Sequence, residues 1–236
     1  MLSAFLKANR RIGVIHIKFP NTNYFMSNQE KVFGLLKKVY PQATYYLNYS
    51  NPLELMVGAI LSAQCTDERV NKVTPAIFKK YKNAKDYANA KQVIFESEIR
   101  STGFYRNKAK NIIAACRIIA EKHNGKIPST MRELLELPGI ARKTANVLLQ
   151  NIYNRVEGIV VDTHVIRIAQ RLGWTKQKDP EKIEQDLMKI FPQDHWKWIP
   201  HLLKSHGRVV CKAPTPDCSK CFLKGVCPKI GVTKKN

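Results

Sequence analysis

Apolar side chains recur along this chain at three- and four-residue intervals and seldom alternate, so the pattern predicts a nearly all-helical fold. The clearest stripe is Leu53, Met56, Val57, Ile60 and Leu61, and Gln64 falls on its continuation. Asn51-Pro52-Leu53-Glu54 introduces it with an N-cap, a proline at the first helical position and a capping-box carboxylate. Thr130 and Glu133 form a second start signal, for a helix kept short by the break at Pro138-Gly139. A new helix follows at once with Ala145, Leu148, Leu149 and Ile152 on one face, so 130–151 reads as helix, tight hairpin, helix. A further helix follows Asp162-Thr163, with Val165, Ile168, Ala169 and Leu172 as its stripe. Beyond Pro214 the chain is loop-rich, and no internal repeat is present. Gln64 is a polar amide on an otherwise apolar face, and such a group must find partners or line a cleft.

With 236 residues, 44% of them hydrophobic, the chain is long enough for one or two domains with a real core. The longest candidate apolar run, Leu55 to Leu61, falls far short of the roughly 18 residues a membrane helix needs, so no membrane partner is expected. Forty Lys and Arg against 18 Asp and Glu give a formal charge of +22. A surplus of that size repels itself in the compact state and points to a polyanion, nucleic acid first. A solvated basic surface without a partner is the bland alternative. Residues 1–26 form a basic extension in which Lys7, Arg10, Arg11 and Lys18 meet no acid before Glu30. It reads as a transit-like segment, a basic arm, or untranslated sequence ahead of a start at Met26; Ser27 onward has an ordinary helix start, which favours the last.

Of six cysteines, Cys65 and Cys116 stand in apolar helical contexts, where buried free thiols are common. Cys211, Cys218, Cys221 and Cys227 crowd into 17 residues near the C-terminus. Without a convincing signal peptide, that crowding points to a metal site in a reducing, intracellular compartment. Four thiolates hold either zinc or a [4Fe–4S] cluster, and the chemistry alone does not choose.

The most informative stretch is Leu137-Pro138-Gly139-Ile140-Ala141-Arg142-Lys143-Thr144-Ala145. Amides at a helix N-terminus point outward unpaired, and glycine lets a phosphate approach closely. Such a hairpin grips one backbone phosphate without reading sequence, although a plain interhelical turn has the same outline. Here the chain resembles the endonuclease III family of helix-hairpin-helix DNA glycosylases, whose usual pattern is Leu-Pro-Gly-Val-Gly. Ala141 departs from it. If that position requires φ > 0, alanine is strained there by roughly 1 kcal/mol.

Val161-Asp162-Thr163-His164 matches the family's catalytic aspartate motif, nineteen residues after Lys143. The resemblance implies that Lys143 is the amine nucleophile and Asp162 the assisting carboxylate. At an ordinary pKa of about 10.4 only about 0.04% of a lysine is neutral at pH 7. A helix N-terminus, neighbouring Arg142 and partial burial would all favour proton loss. Singly, Lys143 reads equally well as a phosphate contact and Asp162 as an N-cap.

The Cys-x₆-Cys-x₂-Cys-x₅-Cys spacing resembles that of the same family and its adenine-excising relatives, which implies a [4Fe–4S] cluster on Cys211, Cys218, Cys221 and Cys227. Lys212, Lys220 and Lys224 around it could meet phosphates. Leu61-Ser62-Ala63-Gln64-Cys65-Thr66-Asp67 resembles the segment whose glutamine enters the space left by a flipped base and whose aspartate lies near the pocket, which gives those roles to Gln64 and Asp67. Thr102-Gly103-Phe104-Tyr105 resembles a second loop whose leucine wedges opposite the flipped base; Phe104 stands in that place. Adenine-excising relatives carry a glutamate where this chain has Ile60, and usually lack the lysine nucleophile, so adenine excision is not expected.

The resemblance, from about Ser27 to Cys227, implies an all-α, two-lobed fold with a C-terminal cluster loop. A helical barrel is expected over 45–155, and a cluster domain from 27–44 plus 156–236. The implied activity is a bifunctional glycosylase and AP lyase, in which Gln64, Phe104, Gly139, Ala141 and Arg142 contact duplex DNA at a damaged base or abasic site. A monomer in a bacterial-type cytoplasm is expected, an organelle being the alternative. A glycosylase that uses water as nucleophile, or a non-catalytic hairpin DNA-binding protein, are the other readings.

Overall fold

The computed structural model describes residues 27–233. The basic extension 1–26, and with it the start at Met26, lies outside the described residues. Among those residues the regular elements are all helical: α1 (Asn28–Val39), α2 (Pro52–Leu61), α3 (Asp67–Lys80), α4 (Ala84–Ala88), α5 (Gln92–Ile99), a 3₁₀ turn (Arg100–Thr102), α6 (Tyr105–Lys122), α7 (Met131–Leu135), α8 (Arg142–Ile152), α9 (Thr163–Arg171), α10 (Pro180–Ile190), α11 (Gln193–Trp196) and α12 (Trp198–Val209). The expected all-α fold is thus the one observed.

Side-chain caps explain half of the α-helix starts among the described residues. Asn51 Oδ1 accepts the Glu54 amide at 3.0 Å, while Glu54 Oε2 reaches back to the Ser50 amide at 2.7 Å. Thr66 Oγ1 accepts the Arg69 amide and starts α3, and Thr130 Oγ1 accepts the Glu133 amide and starts α7. Asp162 Oδ1 takes the amides of His164 and Val165 at 2.8 and 2.9 Å and starts α9.

Two separate cores form. One gathers Leu55, Met56, Leu61, Phe95, Ile112 and Leu148, with every member between 47 and 149 except Val160. The other joins Val32, Phe33 and Leu36 of α1 to Ile159, Val165, Ile168, Leu187, Ile199 and Leu203. The chain passes between the two near residues 43–47 and again at 156–161. Polar straps bind the two bodies. Tyr46 Oη and Ser205 Oγ share a hydrogen bond of 2.7 Å, Gln150 Nε2 donates to the Gly158 carbonyl at 2.8 Å, and the Arg208 guanidinium lies 4.2 Å over the Tyr46 ring.

Candidate active site and DNA-facing surface

The hairpin between α7 and α8 turns at Gly139, whose φ is +82°. A Cβ there would stand 2.9 Å from Asn111 Cβ, so both backbone conformation and space demand glycine. Ala141 has φ −93° and ψ 169°, an extended conformation open to any residue, so the condition for strain at this departure is not met. Its side chain offers no cap to α8, whereas Asn51, Thr66, Thr130, Asp162 and Asp179 each cap the helix that follows them. The first-turn amides of α8 are therefore left to a ligand or to water. Gly139→Ala should lower unfolding stability by about 1–3 kcal/mol. Ala141→Gly should cost about 0.4–1 kcal/mol through the freer unfolded chain. Urea unfolding measures both, and a stabilised Ala141→Gly would mean that Ala141 is strained after all.

Lys143 stands in this open first turn with an exposed side chain. Partial burial was expected of it, and the structure differs because the second residue of α8 projects away from the apolar face formed by Ala145, Leu148 and Leu149. Arg142 turns the other way. Its Nε donates to Glu184 Oε2 at 2.9 Å, with 39% of its side chain still exposed.

Asp162 is the N-cap of α9, through Oδ1; Oδ2 is outside the cap. Its charge is felt by His164, Arg167 and His201. Burial pushes the His164 imidazole below its ordinary value. Burial, reinforced by Lys204 and Lys197, brings His201 down to about 4. His201 is thus neutral in the fold but binds a proton near pH 6.5 when unfolded. Its contribution to stability, roughly 3 kcal/mol, is full above pH 6.5 and disappears as pH falls towards 4. Melting temperatures between pH 7 and 4.5 should accordingly drop more steeply for the native chain than for His201→Gln; parallel curves would remove His201 as the cause.

Asp67, the first residue of α3, accepts Lys204 Nζ and Arg208 Nη2 on Oδ2, each at 2.6 Å, and its side chain is 13% exposed. It is therefore neutralised by α12 across the two bodies. Gln64 does not continue the α2 stripe. The helix ends at Leu61, and Gln64 sits in the left-handed region at φ 51°, exposed on the turn into α3. Phe104 is also left-handed, at φ 48°, and is 63% exposed ahead of α6. Ile60 is buried in the first core.

Cys211, Cys218, Cys221 and Cys227 line a single pocket with Arg171, His206 and Leu223. Arg171 Nη1 donates to Cys211 Sγ at 3.3 Å, and His206 Nε2 lies 3.7 Å from Cys221 Sγ. Burial, with the other three thiols in support, pushes Cys221 up to about 11 and raises Cys227 as well. Thiolates are costly in such a nest unless a multiply charged centre enters it, so the donor set suits a metal group. The group is not drawn to single-ion spacing: among the described residues no three His, Cys, Asp or Glu side chains stand where one metal ion would hold them. Cys116 is fully buried and Cys65 partly so, both against the first core.

Sequence reasoning missed Glu184, Gly158 and the Lys204–Arg208 pair. All act through partners far away in sequence. It also missed Lys108, which did carry a signal: a lysine four residues before Ile112, on the apolar face of α6.

The family model for "HhH-GPD superfamily base excision DNA repair protein" matches residues 57–193. Endonuclease III of Synechocystis is 54% identical over 198 residues, covering 84% of this chain and 90% of that protein. Endonuclease III of Bacillus subtilis is 42% identical, covering 86% and 94%. A trapped covalent intermediate of an endonuclease III with DNA superposes with a TM-score of 0.81 at 40% identity, over 86% of this chain and 97% of that one. The chain belongs to the HhH-GPD superfamily of base excision DNA repair proteins, and within it to the endonuclease III family. No helix of the described residues is long and apolar enough to cross a membrane.

Proposed function

We propose that this chain is a bifunctional DNA glycosylase and AP lyase that removes oxidised pyrimidines from duplex DNA. The observation that carries the proposal is Lys143, exposed in the uncapped first turn of α8, in a chain 40% identical to an endonuclease III captured in covalent linkage to DNA. A phosphate held at the α8 amides would set the sugar beside Lys143. In its neutral form Lys143 Nζ attacks C1′; the bond from C1′ to the base breaks, and the base leaves with the electron pair and takes up a proton. The nitrogen lone pair then expels O4′, which takes up a proton as the sugar ring opens, and leaves a Schiff base. This acidifies C2′, and loss of that proton breaks the C3′–O bond, the 3′ phosphate leaving with the electron pair. Asp162 Oδ2 stabilises cationic character at the sugar and relays protons. Gln64 and Phe104 fill the duplex where the damaged base has left, and Asp67, held by Lys204 and Arg208, lies near the pocket.

The two hydrophobic cores support a division into a barrel domain over 45–155 and a cluster domain from 27–44 plus 156–236. We assign the four-cysteine nest to a [4Fe–4S] cluster. Membership of the endonuclease III family favours iron over zinc. The cluster would staple the loop 211–227 and stabilise its thiolates, with Arg171 holding Cys211. A brown preparation containing iron and sulfide is expected, and a colourless one with stoichiometric zinc would overturn that assignment.

Borohydride added to the protein with a thymine glycol duplex tests the activity. A covalent adduct and strand cleavage are expected. Base release without adduct or cleavage would instead mean that water is the nucleophile.

A further inference from the structure

Lys108 is the only lysine or arginine buried among the described residues, at 4% exposure, and no carboxylate among those residues lies within ion-pair distance of it. Its ammonium donates instead to two carbonyls, Leu61 O at 2.8 Å and Thr102 O at 2.7 Å. Leu61 is the last residue of α2, and Thr102 is the last residue of the 3₁₀ turn. The negative ends of two helical segments therefore converge on one cation.

α6 itself has no use for that charge. Lys108 lies in its first turns, where the helix dipole is already positive, and a Met at this apolar position would fill the space. Burial pushes the group below the ordinary lysine value, so the fold carries this charge at a cost that the two carbonyls only partly offset.

The residues just past each anchored carbonyl explain the charge. Three residues beyond Leu61 comes Gln64 at φ 51°, and two beyond Thr102 comes Phe104 at φ 48°. Non-glycine residues hold left-handed backbone only where their surroundings over-determine it. Both side chains are exposed, and both belong to the turns assigned to the duplex. We propose that Lys108 is a positioning residue that locks the Gln64 turn and the Phe104 turn into one rigid unit, so that the two side chains enter a duplex together. This role rests on the proposed DNA repair function.

Two measurements test it. In the first, Lys108→Met is compared with the native chain on a duplex with a single thymine glycol and on a single-stranded abasic oligonucleotide, which leaves no stack to fill. The variant should lose tenfold or more in single-turnover base release from the duplex and stay within twofold on the single strand. Equal losses on both, or none on either, would overturn the proposal. The second leaves Lys108 in place, and so does not depend on the variant folding. Gln64→Ala, Phe104→Ala and the double variant are assayed on the same duplex. Rigidly joined turns predict a double loss close to the larger single loss. Losses that simply multiply would overturn the rigid unit. If the native chain neither releases the base nor cuts the abasic strand, the repair function falls and the role of Lys108 falls with it; an active native chain with an unaltered Lys108→Met removes the role alone.

Discussion

Lys143→Ala should fold normally, bind duplex DNA, and cut an abasic strand at least about 10⁴-fold more slowly than the native chain, with no borohydride-trapped adduct. Lys143 is exposed and makes no hydrogen bond or ion pair among the described residues, so its melting temperature should shift by no more than about 2 °C. That combination separates loss of a nucleophile from loss of a fold. Asp162→Asn sharpens the comparison. Asparagine caps helices as well as aspartate does, so α9 keeps its start while the charge proposed to act at the sugar is gone. A fall of about 10²- to 10⁴-fold is expected in cleavage without a matching loss of stability. An adduct that survives Lys143→Ala would put the nucleophile on another side chain and dissolve the proposed chemistry.

Gly158→Ala should be the most damaging small substitution on the structural side. A Cβ at this buried position would stand 1.8 Å from Glu184 Oε1 and 3.0 Å from Asn146 Nδ2. Glu184, itself 4% exposed, joins α10 to α8 by accepting Arg142 Nε and Asn146 Nδ2, both at 2.9 Å. The added methyl displaces the carboxylate and opens both bonds inside the protein. Losing two hydrogen bonds to a nearly buried carboxylate, each worth about 1.5–3 kcal/mol, costs about 3–5 kcal/mol. In a chain of this size that amounts to a drop of roughly 6–20 °C in melting temperature. Because α8 also carries Lys143, the surviving folded fraction should show a lower single-turnover cleavage rate, since misplacing a reactive group by about an ångström costs about 10²-fold. Glu184→Gln should be milder, as the amide oxygen still accepts from Asn146. If scanning calorimetry finds Gly158→Ala as stable as the native chain, the clasp does not hold the two bodies together.

What the sequence disclosed depended on how local the physics was. Asn51, Thr130 and Asp162 announce their helices because a cap needs only the next three residues, and Gly139 announces the hairpin because only glycine tolerates its φ. The family motifs were legible as short strings. Gln64 was misplaced because helical periodicity does not register a helix that stops at Leu61, where the chain turns left-handed and a distant lysine takes the terminal carbonyl. Nor could Arg142 reveal that it faces Glu184, 42 residues on, or Asp67 that Arg208, 141 residues on, neutralises it. Such pairs exist only once the two bodies have met. The structure also freed Ala141 from the strain its motif suggested, because an extended backbone admits alanine without penalty.

The division of the two cores bears on how the chain is made. Val32, Phe33 and Leu36 belong with residues from Ile159 onward, while nearly everything between 47 and 149 packs among itself. During synthesis α1 leaves the ribosome with its apolar face bare, and at about 5–20 residues per second its partners follow some 6–25 seconds later. The intervening body can close in that interval, leaving the leading segment as a nascent hydrophobic stretch open to chaperones until the second half of the polypeptide emerges to cover it.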